Sequence, residues 1–251
     1  MFHTTSRRIL VALAAISLGT ATQAALTHRY SFTDGSLKDS AGNVAATLKG
    51  SAKIVDGKLI LDNGAKGSDD PTLSYLEFTS AILPKTGSAS LAVWFTVKET
   101  NPFARILNFG DKEGAEGRAF IYFTPRNSND QARSAITATD AGSKTFIDSD
   151  PLDDGKPHCV VMVIDGTAKK LHTFVDGKEP MAAEDLGENT LDKVRQVNNW
   201  LGRSSYDQDG GLSGSIDEFR VYDHALSAAE VAAMVKAGPD TLPAPTTAPA
   251  K

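Results

Sequence analysis

The chain predicts an all-β fold, two antiparallel sheets packed face to face in a β-sandwich of jelly-roll type, with one short helix at the C-terminal end. Three observations lead there. Short apolar segments at residues 58–61, 75–78, 90–97, 106–109 and 119–123 lie between Gly, Pro, Asn or Asp residues, the pattern of strands separated by turns. The Asp165-Gly166 and Asp176-Gly177 pairs end strands with a dipeptide that accepts positive φ, so residues 158–178 read as a hairpin leading into a second turn. A helix start occurs only near residue 227, and a chain of many short strands with almost no helical periodicity buries its apolar faces sheet against sheet.

The stretch 212–231 is the one on which the other elements can be hung. Ile216, Phe219, Val221 and Leu226 are apolar while Asp217, Glu218, Arg220 and Asp223 interleave with them, as in a half-buried strand with an irregularity near Asp217. Ser227 stands three residues before Glu230, the spacing at which a hydroxyl and a carboxylate reciprocally satisfy the free N–H groups of a first helical turn. The helix so started runs only to about Lys236. Gly238 suits the left-handed residue after a helix, and Pro239 cannot continue one.

Residues 214–227, Gly-Ser-Ile-Asp-Glu-Phe-Arg-Val-Tyr-Asp-His-Ala-Leu-Ser, resemble the closing signature of laminin G-like jelly-roll domains, G-x-I-D-E-[VF]-R-[VI]-Y-[ND]-x-A-L-S. These domains, with the pentraxin type, belong to the concanavalin A-like lectin and glucanase superfamily. Upstream, Trp200-Leu201-Gly202-Arg203-Ser204 is similar to the family's I-G-R-S strand, and residues 168–178 to its K-L-x-L-Y-V-D-G hairpin. Residues 30–43 resemble the opening Y-x-F-x-D-G … D-S-x-G-N, and residues 90–97 the F-S-x-S-x-W-F core strand. These ordered matches, spanning about residues 25–238, imply the fold for one whole domain and leave the function open.

Residues 1–24 read as a secretory signal peptide: Arg7 and Arg8, an apolar run from Ile9 to Leu18, then small residues ending at Ala24. The run is too short to span a bilayer. Removing 24 residues from 251 leaves 227, the size of one sandwich domain. The two lost arginines take the net charge from −5 to −7, which argues against a nucleic-acid or anionic-membrane partner. An exported chain with Cys159 as its only cysteine holds together without an internal disulfide. Cys159 itself, inside His-Cys-Val-Val-Met-Val-Ile, reads as a small buried hydrophobe of a central strand. The Pro, Thr and Ala composition of residues 239–251 marks a disordered tail.

For a retaining glucanase, two carboxylates about 5 to 5.5 Å apart are needed. The superfamily's E-x-D-x-x-E motif is absent, and adjacent Asp217 and Glu218 on a regular strand point to opposite faces. Neither a nucleophile elbow nor a Walker loop nor a metalloprotease motif is present. The reading is therefore a non-catalytic binding module, secreted, periplasmic or on the cell surface, that recognises a glycan or a surface or matrix protein. A glycoside hydrolase or lyase of the same superfamily, and a purely structural surface protein, are the alternatives.

The resemblance also implies a structural calcium ion, with Asp39, the Asn43 backbone and Asp217 at the matching positions and Asp34 beside them. Oxygen ligands of this kind suit a hard cation. The alternative is that Asp39 and Asn43 cap a turn while Asp217 hydrogen-bonds neighbouring groups. Glycan recognition wants exposed aromatics beside polar groups, and Tyr206, Trp200 and Phe103 are the loop or loop-edge choices, with Asp150 from the acidic stretch 148–155. By default that stretch is a solvated turn. Asp207-Gln208-Asp209-Gly210 lacks the glycine of a helix-loop-helix calcium loop, Leu212 standing in its place, and reads as a plain loop.

Mass spectrometry of the protein recovered from its producing cell is expected to find residues 1–24 removed. An intact Met1 would contradict export.

Overall fold

A computed structural model describes residues 26–85, 87–138 and 144–242. Residues 1–25, which include the expected signal peptide, and residues 243–251 of the tail lie outside them. In chain order the strands are β1 (Leu26–Tyr30), β2 (Ala46–Lys49), β3 (Lys53–Val55), β4 (Lys58–Leu61), β5 (Tyr75–Phe78), β6 (Ala89–Lys98), β7 (Leu107–Glu113) and β8 (Glu116–Thr124). They continue with β9 (Ala132–Thr137), β10 (Thr145–Ser149), β11 (Asp154–Asp165), β12 (Lys170–Val175), β13 (Glu184–Asp185), β14 (Asn198–Leu201) and β15 (Gly214–Tyr222), and the helix α1 spans Ala228–Ala237. The strands form the expected sandwich. One sheet runs β13-β12-β11-β6-β15-β4-β3 with β1 added against β15, and the other runs β10-β9-β8-β7-β14-β5-β2. All pairings are antiparallel.

β15 is central to the eight-stranded sheet. One edge pairs with β6 along its length; the other pairs with β4 through Gly214, Ser215 and Ile216 and then with β1 through Phe219, Arg220, Val221 and Tyr222. First and last strands thus lie side by side. Between the two partners the register shifts at Ile216/Glu218, the irregularity expected near Asp217. Such a bulge inserts one residue and resets the alternation, so that Ile216, Phe219 and Val221 all enter the core while Glu218, Arg220 and Tyr222 face outward.

Between the sheets, Tyr30, Phe95 and Phe219 from one side meet Phe78, Phe109 and Phe123 from the other. Ring centroids stand 4.9 Å apart for Tyr30–Phe78 and 5.7 Å for Phe78–Phe219, Phe109–Phe219 and Phe95–Phe123. Contacts of this geometry add to the roughly 1.5–3 kcal/mol that each fully buried large apolar side chain contributes. A second apolar cluster lies on the outer face of the eight-stranded sheet, where Trp94, Cys159, Val161, Val163, Phe174 and Tyr222 are covered by Val231 and Met234 of α1. Trp94, Val161 and Val163 are therefore buried, as expected, but beneath the helix, whereas Phe219 and Val221 are in the main core. Burial pushes the Cys159 thiol far up from its usual range, which keeps it an inert packing residue.

Local chemistry explains the boundaries. The Ser227 hydroxyl accepts from the Glu230 backbone N–H while the Glu230 carboxylate accepts from the Ser227 N–H at 2.8 Å, and Gly238 at φ 82° ends the helix. Asp176 at φ 50° and Gly177 at φ 82° make a two-residue hairpin turn. Asp165-Gly166 does not supply the expected positive φ: Lys169 does, at 54°. Gly166 is required instead by close approach, since a Cβ there would stand 2.1 Å from the Gly87 carbonyl oxygen.

Only part of the acidic stretch is a solvated turn: Asp150 and Pro151 are exposed, but the residues around them are built into the fold. Asp148 belongs to β10, and Asp153 is buried, accepting from the Thr100 N–H at 3.1 Å and Arg126 Nη1 at 3.3 Å. Asp154 opens β11 and pairs with Lys156 and His158.

Replacing Trp94 by Ala is expected to cost roughly 3–5 kcal/mol in equilibrium chemical denaturation, and Ser227→Ala about 1 kcal/mol. A Trp94 loss under about 1 kcal/mol would show that the helix does not seal this face.

Candidate ligand-binding face

In this structure the carboxylates of Asp39 and Asp217, matched to a calcium site, are taken up by protein partners. Asp39 lies in the turn after β1, and its carboxylate is surrounded by donors: Oδ1 accepts from the N–H groups of Arg29 at 3.0 Å, Gly42 at 2.9 Å and Ala41 at 3.3 Å, while Oδ2 accepts from Val44 N–H at 3.2 Å and pairs with His28 Nδ1 at 2.7 Å. A cation cage needs converging oxygens, so this donor set does not fit the ion. Burial opposes ionisation of Asp39, yet His28 and the backbone donors outweigh it and hold its pKa below the usual carboxylate value. A depressed carboxylate contributes stability above its unfolded-state pKa and loses it as the pH falls.

Asp217, in the bulge, pairs through Oδ2 with Lys58 Nζ at 2.7 Å, while its buried Oδ1 has no partner. It borders a shallow depression of about 260 Å³ with Thr33, Asp56, Lys58, Pro239 and Asp240. Asp34 is exposed and caps its own turn through Ser36, and Asn43 is exposed. Among the described residues no three His, Cys, Asp or Glu side chains converge to hold a metal. Glu218 is equally withdrawn from catalysis, being fully buried between Arg29 and Arg220.

The more informative surface is the outer face of the seven-stranded sheet. Register places Phe146, Ala135, Tyr122, Asn108, Trp200, Glu77 and Thr47 directly opposite one another across all seven strands. This row alternates with an inner row of Ile147, Ser134, Phe123, Leu107, Leu201, Leu76 and Leu48, so strand periodicity sends it outward. Three arginines stack on its rings. The guanidinium of Arg133 lies 4.1 Å from the centre of Phe146, that of Arg105 3.4 Å from Tyr122, and that of Arg203 4.6 Å from Trp200 and 4.8 Å from Tyr75. A planar guanidinium over a ring is a favourable and rigid contact that still leaves N–H donors at its edge.

Each arginine is also held in plane. Arg133 makes a two-pronged pair with Asp148, Nε and Nη2 donating at 2.6 and 2.7 Å, and Arg203 Nη1 donates to the Tyr75 hydroxyl at 2.8 Å. Arg105 Nη2 donates to Asp209 Oδ2 at 3.0 Å, and the Ser204 hydroxyl donates to the same oxygen at 2.5 Å. Burial nevertheless pushes the Asp209 carboxyl above its usual range, against the pull of Arg105. Arg105 Nη1 and Arg203 Nε are buried and have no partner. The loop of residues 202–211 is pinned across the middle of the face by these contacts, by Asn108 Nδ2 donating to the Ser205 hydroxyl at 2.7 Å and by Lys112 Nζ donating to Asp207 at 2.5 Å.

Three of the four residues singled out for ligand binding belong to this face. Trp200 is buried in the row, its Nε1 donating to Glu77 at 3.3 Å. Half-buried Tyr206 packs edge-on to Phe120 from the pinned loop, and Phe103 stands 5.3 Å from the Arg105 guanidinium. Asp150 is exposed just beyond the end of β10. Sequence reasoning missed Phe146, Arg133, Asp148, Arg105 and Arg203. The alternation of Phe146 and Asp148 along one strand was the available signal, hidden by reading residues 148–155 as a turn.

The matched family model, Laminin_G_3, is described as the concanavalin A-like lectin/glucanases superfamily and covers residues 70–232. No curated protein matches the sequence. Among solved structures, domain 4 of AbnA, a GH43 extracellular arabinanase from Geobacillus stearothermophilus, in complex with arabinotriose, is 19% identical with a TM-score of 0.54, covering 84% of this chain and 98% of that one. The CBM40 of the Ruminococcus gnavus IT-sialidase, bound to α2,6 sialyllactose, is 16% identical with a TM-score of 0.55, over 71% of this chain and 97% of that one. The binding domain of Botulinum neurotoxin DC in complex with SialylT is 13% identical with a TM-score of 0.61, over 86% of this chain and 51% of that one. At these identities the likeness is one of fold. The family match spans well over half of the chain, and with it the protein belongs to the laminin G-like family of the concanavalin A-like lectin and glucanase superfamily.

Proposed function

We propose that this chain is an exported, non-catalytic glycan-binding module whose ligand lies on the outer face of the seven-stranded sheet. The observation that carries the reading is the arginine–aromatic stacking on that one face, with the Arg133–Phe146 stack open to solvent at its edge. A saccharide offers apolar C–H faces and a rim of hydroxyls, and flat rings beside fixed donors and acceptors match both. The opposite sheet has no comparable free surface at its centre, because α1 covers it.

The structural neighbours support the same reading, since two are carbohydrate-related domains in complex with arabinotriose and with sialyllactose. A toxin binding domain of the same fold is in complex with rat synaptotagmin II, so a surface protein is the competing ligand. Export rests on the charged, apolar and small-residue order of residues 1–24. Calcium has no part in binding on this reading, because N–H donors occupy the Asp39 carboxylate.

A glycan array probed with the mature protein is expected to show binding to at least one glycan class, equal in chelator and in calcium, with no cleavage of the bound sugar. Retention of no glycan, or release of shortened products, would overturn the proposal.

A further inference from the structure

Most of the outer face is closed. Tyr122 and Trp200 keep only 3% and 4% of their surface exposed, beneath the pinned loop and their stacked arginines. The β9–β10 end is open instead. There Phe146 is 42% exposed, the one aromatic among the exposed large apolar side chains of the described residues. Arg133 covers part of its ring, and Asp148, two residues along the same edge strand, clamps that guanidinium from the side. Phenylalanine has no polar atom to justify such exposure.

Resting on the reading of this chain as a glycan-binding module, we propose that Phe146, Arg133 and Asp148 form its primary saccharide subsite and that the subsite takes a neutral sugar ring. Position and chemistry agree. The free part of the Phe146 ring offers an apolar platform for one face of the sugar. Arg133 retains N–H donors and Asp148 retains lone pairs, so donor and acceptor sit side by side, the complement of two adjacent hydroxyls that each donate and accept. Both side chains are 17% exposed, within reach of a ligand at the surface.

The charge balance selects the ligand class. The Arg133 charge is already cancelled at 2.6 and 2.7 Å by Asp148. A carboxylate- or sulfate-bearing sugar would have to displace an intramolecular partner and would meet the Asp148 charge while doing so. A neutral ring meets neither cost, and the two-pronged pair is already ordered, which spares side-chain entropy on binding.

The test is isothermal titration of the mature protein with two sets of probes: neutral arabino-, xylo-, gluco- and manno-oligosaccharides, and acidic sialyllactose and oligogalacturonate. At least one neutral probe is expected to bind, with affinity nearly constant between about 50 and 500 mM sodium chloride. Phe146→Ala should weaken it roughly tenfold or more, Phe146→Tyr should restore it, and both variants should melt like wild type. Binding of acidic probes alone, falling steeply with salt, overturns the proposal, as does an undiminished affinity in Phe146→Ala; in either case the glycan-binding reading stands. Failure of wild type to bind any probe overturns that reading and the subsite with it.

Discussion

A carboxylate without water, Glu218, is the constraint on which the architecture turns. It faces outward from β15 and is fully buried, with Arg29 Nε donating to its Oε1 at 2.6 Å and Arg220 Nε at 2.5 Å. Removing charges from water costs several kcal/mol per ion unless geometry and further hydrogen bonds compensate. Here Arg220 Nη2 donates to the carbonyls of Pro239 at 2.5 Å and Thr241 at 3.2 Å, Arg29 Nη2 reaches those of Pro239 and Asp240, and the Arg220 guanidinium stacks 4.7 Å from the Trp94 ring. One cluster thereby binds the first strand, the last strand and the chain after the helix. The motif residues Glu218, Arg220 and Tyr222 thus face outward while Phe219 and Val221 fill the core, and the bulge at Asp217 sets that phase.

That cluster also decides which surface is left for a ligand. Once the chain after β15 is drawn across the eight-stranded sheet, α1 lies over Trp94, Val161 and Phe174, and this sheet is covered. Among the described residues, α1 is the one α-helix, and it lies on the eight-stranded sheet. The outer face of the seven-stranded sheet is dressed by stacked arginines and one pinned loop, which close the centre over Tyr122 and Trp200 and leave the Phe146 edge open. On the proposed function, scaffold and site are divided between the two sheets, the arrangement in which a rigid framework positions a surface for recognition.

What the sequence made legible was whatever local chemistry decides. The Ser227–Glu230 box, the Asp176-Gly177 turn, the strong strand over residues 90–97 and the bulge near Asp217 all rest on neighbours within a few residues, and all are present. Less was legible where partners are distant. Asp39 and Asp217 do lie near paired first and last strands, but which donors surround each carboxylate depends on loop paths, and these bring N–H groups to Asp39 and Lys58 to Asp217. Exposure of aromatics was equally hidden: Trp200 lies in the outward row and is buried, while Phe146, on the edge strand β10, is 42% exposed. The very short strands β3 and β13, of three and two residues, have no periodicity to read.

The central claim is that the buried Glu218 cluster holds the sandwich and its covering helix together. Equilibrium chemical denaturation of Glu218→Gln against wild type tests it most directly, because the amide leaves the buried Arg220 and the partly buried Arg29 without a counter-ion. The account predicts a stability loss of about 3–5 kcal/mol, as for other buried pairs deprived of one partner. A variant within about 1 kcal/mol of wild type would contradict it, and would mean that the arginines are satisfied by the carbonyls of the C-terminal segment alone.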